Sequence, residues 1–121
     1  MYNIEIYEDK NGKSEIRDYI KSIQRRKNKN NNIKFTKIVA YIRILSESGL
    51  SIGEPYIKHI DSNIWDLRPL RDRILFAYCN NNRFILLSVF MKKSQKTPQK
   101  EIDKAKRLLK DYIKRSVDKN G

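Results

Sequence analysis

Two runs in the second half of the chain constrain its fold more than any other feature. "RILFAYC" (73–79) and "FILLSVF" (84–90) are almost continuously apolar and are separated only by "NNNR". A strand with one face in water alternates apolar and polar side chains, whereas an unbroken run suits a strand covered, at least in part, on both faces. The asparagine-rich link is turn chemistry, so the pair reads as a β-hairpin of central strands. Just upstream, "IWDLRPL" (64–70) does alternate, with Trp65 and Leu67 on one face and Asp66 and Arg68 on the other.

The flanking segments supply the remaining layers. "NIEIY" alternates and predicts a first strand. Ser14 is a candidate N-cap for a helix over Ser14–Lys27, where Ile16, Tyr19, Ile20 and Ile23 recur at helical spacing. "KNKNNN" at Lys27–Asn32 reads as a polar turn. Beyond it, Ile38, Tyr41, Ile42 and Leu45 mark a second helix, stopped by Gly49 and antiparallel to the first. A short strand is expected at Tyr56–Ile60. Thr97 as N-cap and Pro98 at the first helical position open a last helix, with Ile102, Ala105, Leu109, Tyr112 and Ile113 as its apolar stripe. Lys100, Lys104, Lys106 and Lys110 should lie on its solvated face. The order is strand, two helices, three or four antiparallel strands, helix. It predicts one α+β domain with its helices on one side of the sheet.

Charge narrows the class of partner. The 121 residues carry 27 Lys+Arg against 14 Asp+Glu, a net charge of +13. A small domain with that field attracts polyanions, nucleic acid or an acidic protein, before any specific contact forms. Cys79 is the only cysteine, which excludes an internal disulfide and a cysteine-based metal site. No apolar run approaches the roughly 18–20 residues of a membrane span, and the N-terminus does not read as a secretory signal. A cytoplasmic protein without membrane attachment is expected.

Several chemistries are missing. There is no Gly-rich phosphate loop, no metal-ligand spacing and no Ser-His-Asp arrangement. His59 is the sole histidine, so a nuclease with paired histidines as base and acid is excluded. What remains is a basic constellation: Lys58, His59, Arg68, Arg71, Arg73, Lys92, Lys93 and Lys96. Each alone is an ordinary surface residue. A meander of adjacent strands would bring them to one surface, where they suit a phosphate-bearing ligand. Trp65 shares a face with Leu67 and belongs to the core, while Tyr56 and Tyr78 either pack or stack a base.

From Ile64 to Ala105 the "WDLR" strand, the "RDRI" start of the next and the junction "FMKKSQKTPQKEIDKA" occur in order. This pattern resembles the RelE/ParE superfamily of type II toxin–antitoxin toxins, and within it the phage-derived HigB-like branch. The upstream strand and helical hairpin fit more loosely, so the resemblance covers one toxin domain over 1–121. It implies a microbial-RNase-like α+β fold: N-terminal strand, helical hairpin, antiparallel sheet and C-terminal helix. It also implies a ribosome-dependent mRNA endoribonuclease that needs no cofactor or metal. A cognate HigA-like antitoxin would silence it, and the complex would contact operator DNA.

By position, Arg68 and Arg73 match the family's sheet arginines, implying phosphate binding and transition-state charge. Lys93, beside Lys92, falls where a basic catalytic group follows the last strand, and Lys96 would contact an adjacent phosphate. His59 and Lys58 lie where relatives carry a general base, while Arg71 joins the phosphate-binding set. The departure is the absence of a histidine near the C-terminus, which some HigB toxins use. Two other readings share these features: a ParE-like gyrase poison without enzymatic activity, and a simple RNA- or DNA-binding module.

Overall fold

The structure, a computed structural model, describes the backbone of residues 1–120 and the side chains of residues 1–116. Five strands form one sheet: β1 (Asn3–Ile6), β2 (Ile57–Asp61), β3 (Ile64–Leu67), β4 (Asp72–Cys79) and β5 (Arg83–Met91), in the order β1-β5-β4-β3-β2. The helices are α1 (Glu15–Arg25), α2 (Lys29–Ser48) and α3 (Gln99–Asn120), with a 3-10 turn at Gly49–Ile52. Strands β2 to β5 form the expected antiparallel meander. β1 runs parallel to β5, pairing Asn3 with Arg83 through Ile6 with Leu86. The sheet is therefore mixed, not antiparallel throughout. Parallel neighbours need a long connection between them, and the helical hairpin lies within it.

The expectation of helices on one side of the sheet is overturned. On one face, Ile16, Ile23, Ile38 and Leu45 of α1 and α2 pack with Ile57, Leu67, Ile74, Phe76, Phe84 and Leu86. On the other, Ala105 and Leu109 of α3 pack with Ile64, Leu75, Ala77, Ile85 and Leu87. Alternate residues of β4 and β5 thus feed two different cores, which is why both strands are apolar along most of their length. The β4–β5 link turns at Asn81 and Asn82, with φ of 64° and 55°. Asparagine tolerates that left-handed region better than other residues with a side chain.

Local signals set most element ends. Ser14 accepts from the Arg17 N–H at 3.1 Å and caps α1 as expected. α2 starts earlier than its apolar residues suggest: Asn28 accepts from Asn31 N–H at 2.9 Å, so most of "KNKNNN" is the first helical turn and not a loop. Gly49 ends α2 with φ of 64°, and a Cβ there would lie 2.7 Å from the Tyr2 ring. α3 begins one residue later than the Thr97-Pro98 reading, because the Pro98 carbonyl accepts from Ile102 N–H at 3.3 Å. Where β1 ends, the Glu15 carboxylate covers the edge of β5, accepting from Val89 N–H at 3.0 Å and from Lys104 Nζ at 2.9 Å. One side chain thereby ties α1, β5 and α3 together.

Candidate functional site

The register of the meander builds a row across four strands. Lys58 pairs with Asp66, Asp66 with Leu75, and Leu75 with Ser88. Leu75 belongs to the core beneath α3, so this row lies on the α3 face. Arg73 is two residues before Leu75 and shares its face by strand alternation, with Phe90 as its partner on β5. Arg68 follows the end of β3. Residues from four strand ends therefore meet where β3 stops and β4 begins.

Asp66 is the centre of the cluster and is fully buried. Its Oδ1 accepts from Arg68 Nε at 2.8 Å, and its Oδ2 lies 3.9 Å from Arg73 Nε. The second distance is an ion pair but too long for a hydrogen bond. Both Asp66 Oδ2 and Arg73 Nε are buried without a hydrogen-bond partner. The Arg73 guanidinium is pinned by Nη1, which donates to the carbonyls of Leu70 at 2.5 Å and Asp72 at 3.2 Å. The arginine side chains are only 11% (Arg73) and 19% (Arg68) exposed.

The electrostatics follow from burial and crowding. Burial pushes the Asp66 carboxyl up, and Arg68, Arg73 and Lys58, which pull it down, do not fully offset that. Burial also lowers Arg73, and the neighbouring Arg68 lowers it further, against Asp66 and Asp72. An arginine nonetheless keeps its charge at neutral pH. Three cations thus surround one carboxylate in a partly desolvated place, and an added anion would relieve their repulsion.

The opposite face holds the backbone under Arg73. Asp72 is buried, accepts the Tyr19 hydroxyl of α1 and lies 3.1 Å from Lys34 Nζ of α2. Burial, and then the Asp72 bond, push the Tyr19 phenol well up, so it stays protonated and donating. The residue before Arg73 is consequently clamped by both helices of the hairpin.

The other basic residues separate into three groups. Lys92 N–H donates to the Arg71 carbonyl at 3.0 Å, which places both residues beside the start of β4. Lys93 and Lys96 are exposed on the connection to α3, folded by Ser94 Oγ donating to the Lys96 carbonyl at 3.1 Å. His59 is not brought to the arginines. It pairs with Trp65, not Asp66, so it lies on the other face from Lys58, its ring 5.0 Å from the indole and Nε2 2.7 Å from the Ser62 carbonyl. Trp65 packs against the α1/α2 core, as expected. Tyr56 packs on Tyr41 at 5.1 Å, and Tyr78 lies at the far end of β4.

Asp66 is the residue that sequence reasoning left without a role. Its signal was present: a carboxylate inside an otherwise apolar strand, two positions from an arginine on the same face. Among the described residues, no group of three or more His, Cys, Asp and Glu is arranged to hold a metal ion, and no helix is long and apolar enough to cross a membrane.

The model of a family described as phage-derived protein Gp49-like matches residues 28–110. Among solved structures, a chain of the YoeB-YefM complex from Staphylococcus aureus superposes with a TM-score of 0.53 at 16% identity. The alignment covers 77% of this chain and 99% of that one, a likeness of fold. No curated protein matches the sequence.

Proposed function

The chain belongs to the Gp49-like phage-derived family and has the RelE/ParE-type fold, and from that premise we propose that it is the HigB-like toxin of a type II toxin–antitoxin system. It cleaves mRNA on the ribosome in the cytoplasm, without a metal, and a cognate HigA-like antitoxin silences it. The observation that carries the reading is the cluster of Lys58, Arg68 and Arg73 around buried Asp66, with Lys92 and Lys93 at the adjoining strand end.

The chemistry suits RNA. The 2′-oxygen attacks the neighbouring phosphorus, the bond from phosphorus to the 5′-oxygen breaks, the 2′-proton is taken up and the 5′-oxygen is protonated. Arg68 and Arg73 neutralise the charge that builds on the non-bridging oxygens. Preorganised donors of this kind are each worth about 10²–10³ in rate. Lys93, with Lys92 beside it, and Lys58 are the groups near the cluster that can carry the protons, a role worth roughly 10²–10⁴. Arg71 and Lys96 hold flanking phosphates. His59, on the other face, takes no part in this step. A gyrase poison with the same fold has no use for converging phosphate ligands, so the cluster favours the nuclease.

Mapping 5′ ends of cellular transcripts within minutes of induction tests the reading. New ends inside translated frames, lost when translation of that message is blocked, are expected. Growth arrest with intact transcripts would transfer the activity to a protein target such as gyrase.

A further inference from the structure

We propose that the groove between the second half of α3 and the β2–β3 turn is the docking surface for an acidic amphipathic segment of the antitoxin. The inference takes the partner's identity from the toxin reading, but its chemistry comes from the groove itself. The groove encloses about 510 Å³, with Ile64, Leu109 and Ile113 as its apolar floor and Lys106, Lys110 and Lys114 along its rim. That volume lies within the roughly 300–1,000 Å³ of typical binding clefts.

Ile113 was expected within the buried stripe of α3, yet it is 49% exposed. A second hollow shares Leu109 and Ile113 and continues to Tyr112, Cys79 and Tyr78, with Asn80, Asn81 and Arg83 on its polar side. Contiguous apolar surface of this kind marks interaction sites. The three lysines, spaced by four, stand on one side of the helix. Lys106 is held by Asp61 at 2.6 Å, whereas Lys110 and Lys114 are exposed and form no ion pair among the described residues.

That combination selects the occupant. A second copy would bring lysines against lysines, on a chain already carrying +13. Nucleic acid would find the lysines, but the floor of the groove itself is aliphatic, and the tyrosine rings lie only in the neighbouring hollow. A peptide segment with large apolar side chains on one face and Asp or Glu beside them satisfies both parts. The groove's floor residue Ile64 pairs with Ala77 of β4, four residues from Arg73, about 13 Å at strand rise.

The test pairs Ile113→Asp with Lys110→Glu/Lys114→Glu, none of them in the RNA site. Two readouts are used: rescue and affinity with the purified antitoxin, and binding of a labelled helical peptide with Leu on one face and Glu elsewhere. Both variants should arrest growth like the wild type but escape rescue, with affinity for the antitoxin at least about 30-fold weaker, as for an interface hot spot. The wild type should bind the Leu/Glu peptide saturably, and Ile113→Asp should lose that binding. Rescue and affinity equal to the wild type would overturn the proposal, as would a wild type that ignores the peptide. If the lysine reversal weakened RNA binding and left the antitoxin unaffected, the row would belong to nucleic acid and the proposal would fall. Peptide binding lost in Ile113→Asp, with no toxicity in the wild type, would uphold the surface and remove the toxin reading.

Discussion

Consider Asp66→Asn, which preserves the side chain's shape and removes its charge. The amide oxygen can still accept from Arg68 Nε, so part of the 2.8 Å contact survives. The amide nitrogen then faces Arg73 Nε across a gap of 3.9 Å in the native protein, donor against donor. Arg73 must shift, and a displacement near 1 Å costs about 10²-fold in rate. That corresponds to about 2.7 kcal/mol of barrier.

Stability should move far less. Hydrogen bonds to charged groups are worth about 1.5–3 kcal/mol, and Asn retains some of that. In the other direction, burial raises the Asp66 carboxyl in the folded protein. A raised acid stabilises the fold in full below its unfolded value, near 3.9, and that contribution is lost as the pH rises through the folded value. At neutral pH the ionised carboxyl is therefore a net cost that Asn avoids. Single-turnover cleavage of ribosome-bound mRNA should show kcat reduced about 10²-fold with KM little changed. Urea melts should show a loss of about 1–2 kcal/mol at most. On acidification towards pH 4 the wild type should gain stability relative to the variant. A folded Asp66→Asn protein that cleaves at the wild-type rate would refute the idea that this carboxylate sets the arginines.

Other outcomes test the surrounding framework. Arg73→Ala should abolish growth arrest and cut the rate by about 10²–10³, while circular dichroism shows a folded protein. Lys93→Ala should also abolish arrest, and full toxicity in both variants would remove the site. Binding of free protein to RNA should weaken with salt, log affinity falling by about 0.7 per contacted phosphate for each tenfold rise; a flat response would count against phosphate recognition. Burial, and then its bond to Glu5, push the Tyr112 phenol up to about 12 from 10.0. Stability should therefore fall between about pH 10 and 12, as the unfolded phenol ionises first. Tyr112→Phe should flatten that part of a pH-dependent melt, and an unchanged slope would contradict the assignment.

Much of the architecture was legible in local sequence. The two apolar runs announced a hairpin of central strands covered, at least in part, on both faces, Ser14 announced the start of α1, and Gly49 the end of α2. Such signals are legible because turn chemistry, caps and hydrophobic period act over a few residues. The ordered motifs from Ile64 to Ala105 carried the resemblance to the RelE/ParE superfamily, and the fold agrees with it. Strand alternation was legible too, and it already sets Lys58 and His59, adjacent in sequence, on opposite faces.

Only the tertiary structure decided which face meets which layer. Period and spacing orient a residue relative to its neighbours, but not relative to a helix that arrives from elsewhere in the chain. That is why α3 covers the face opposite the hairpin, why β1 pairs parallel with β5, and why His59 faces Trp65 and not the arginines. It is also why Asp66 sits between two arginines: Arg68 and Arg73 come from different strand ends, and only the register of β3 against β4 puts one buried carboxylate between them.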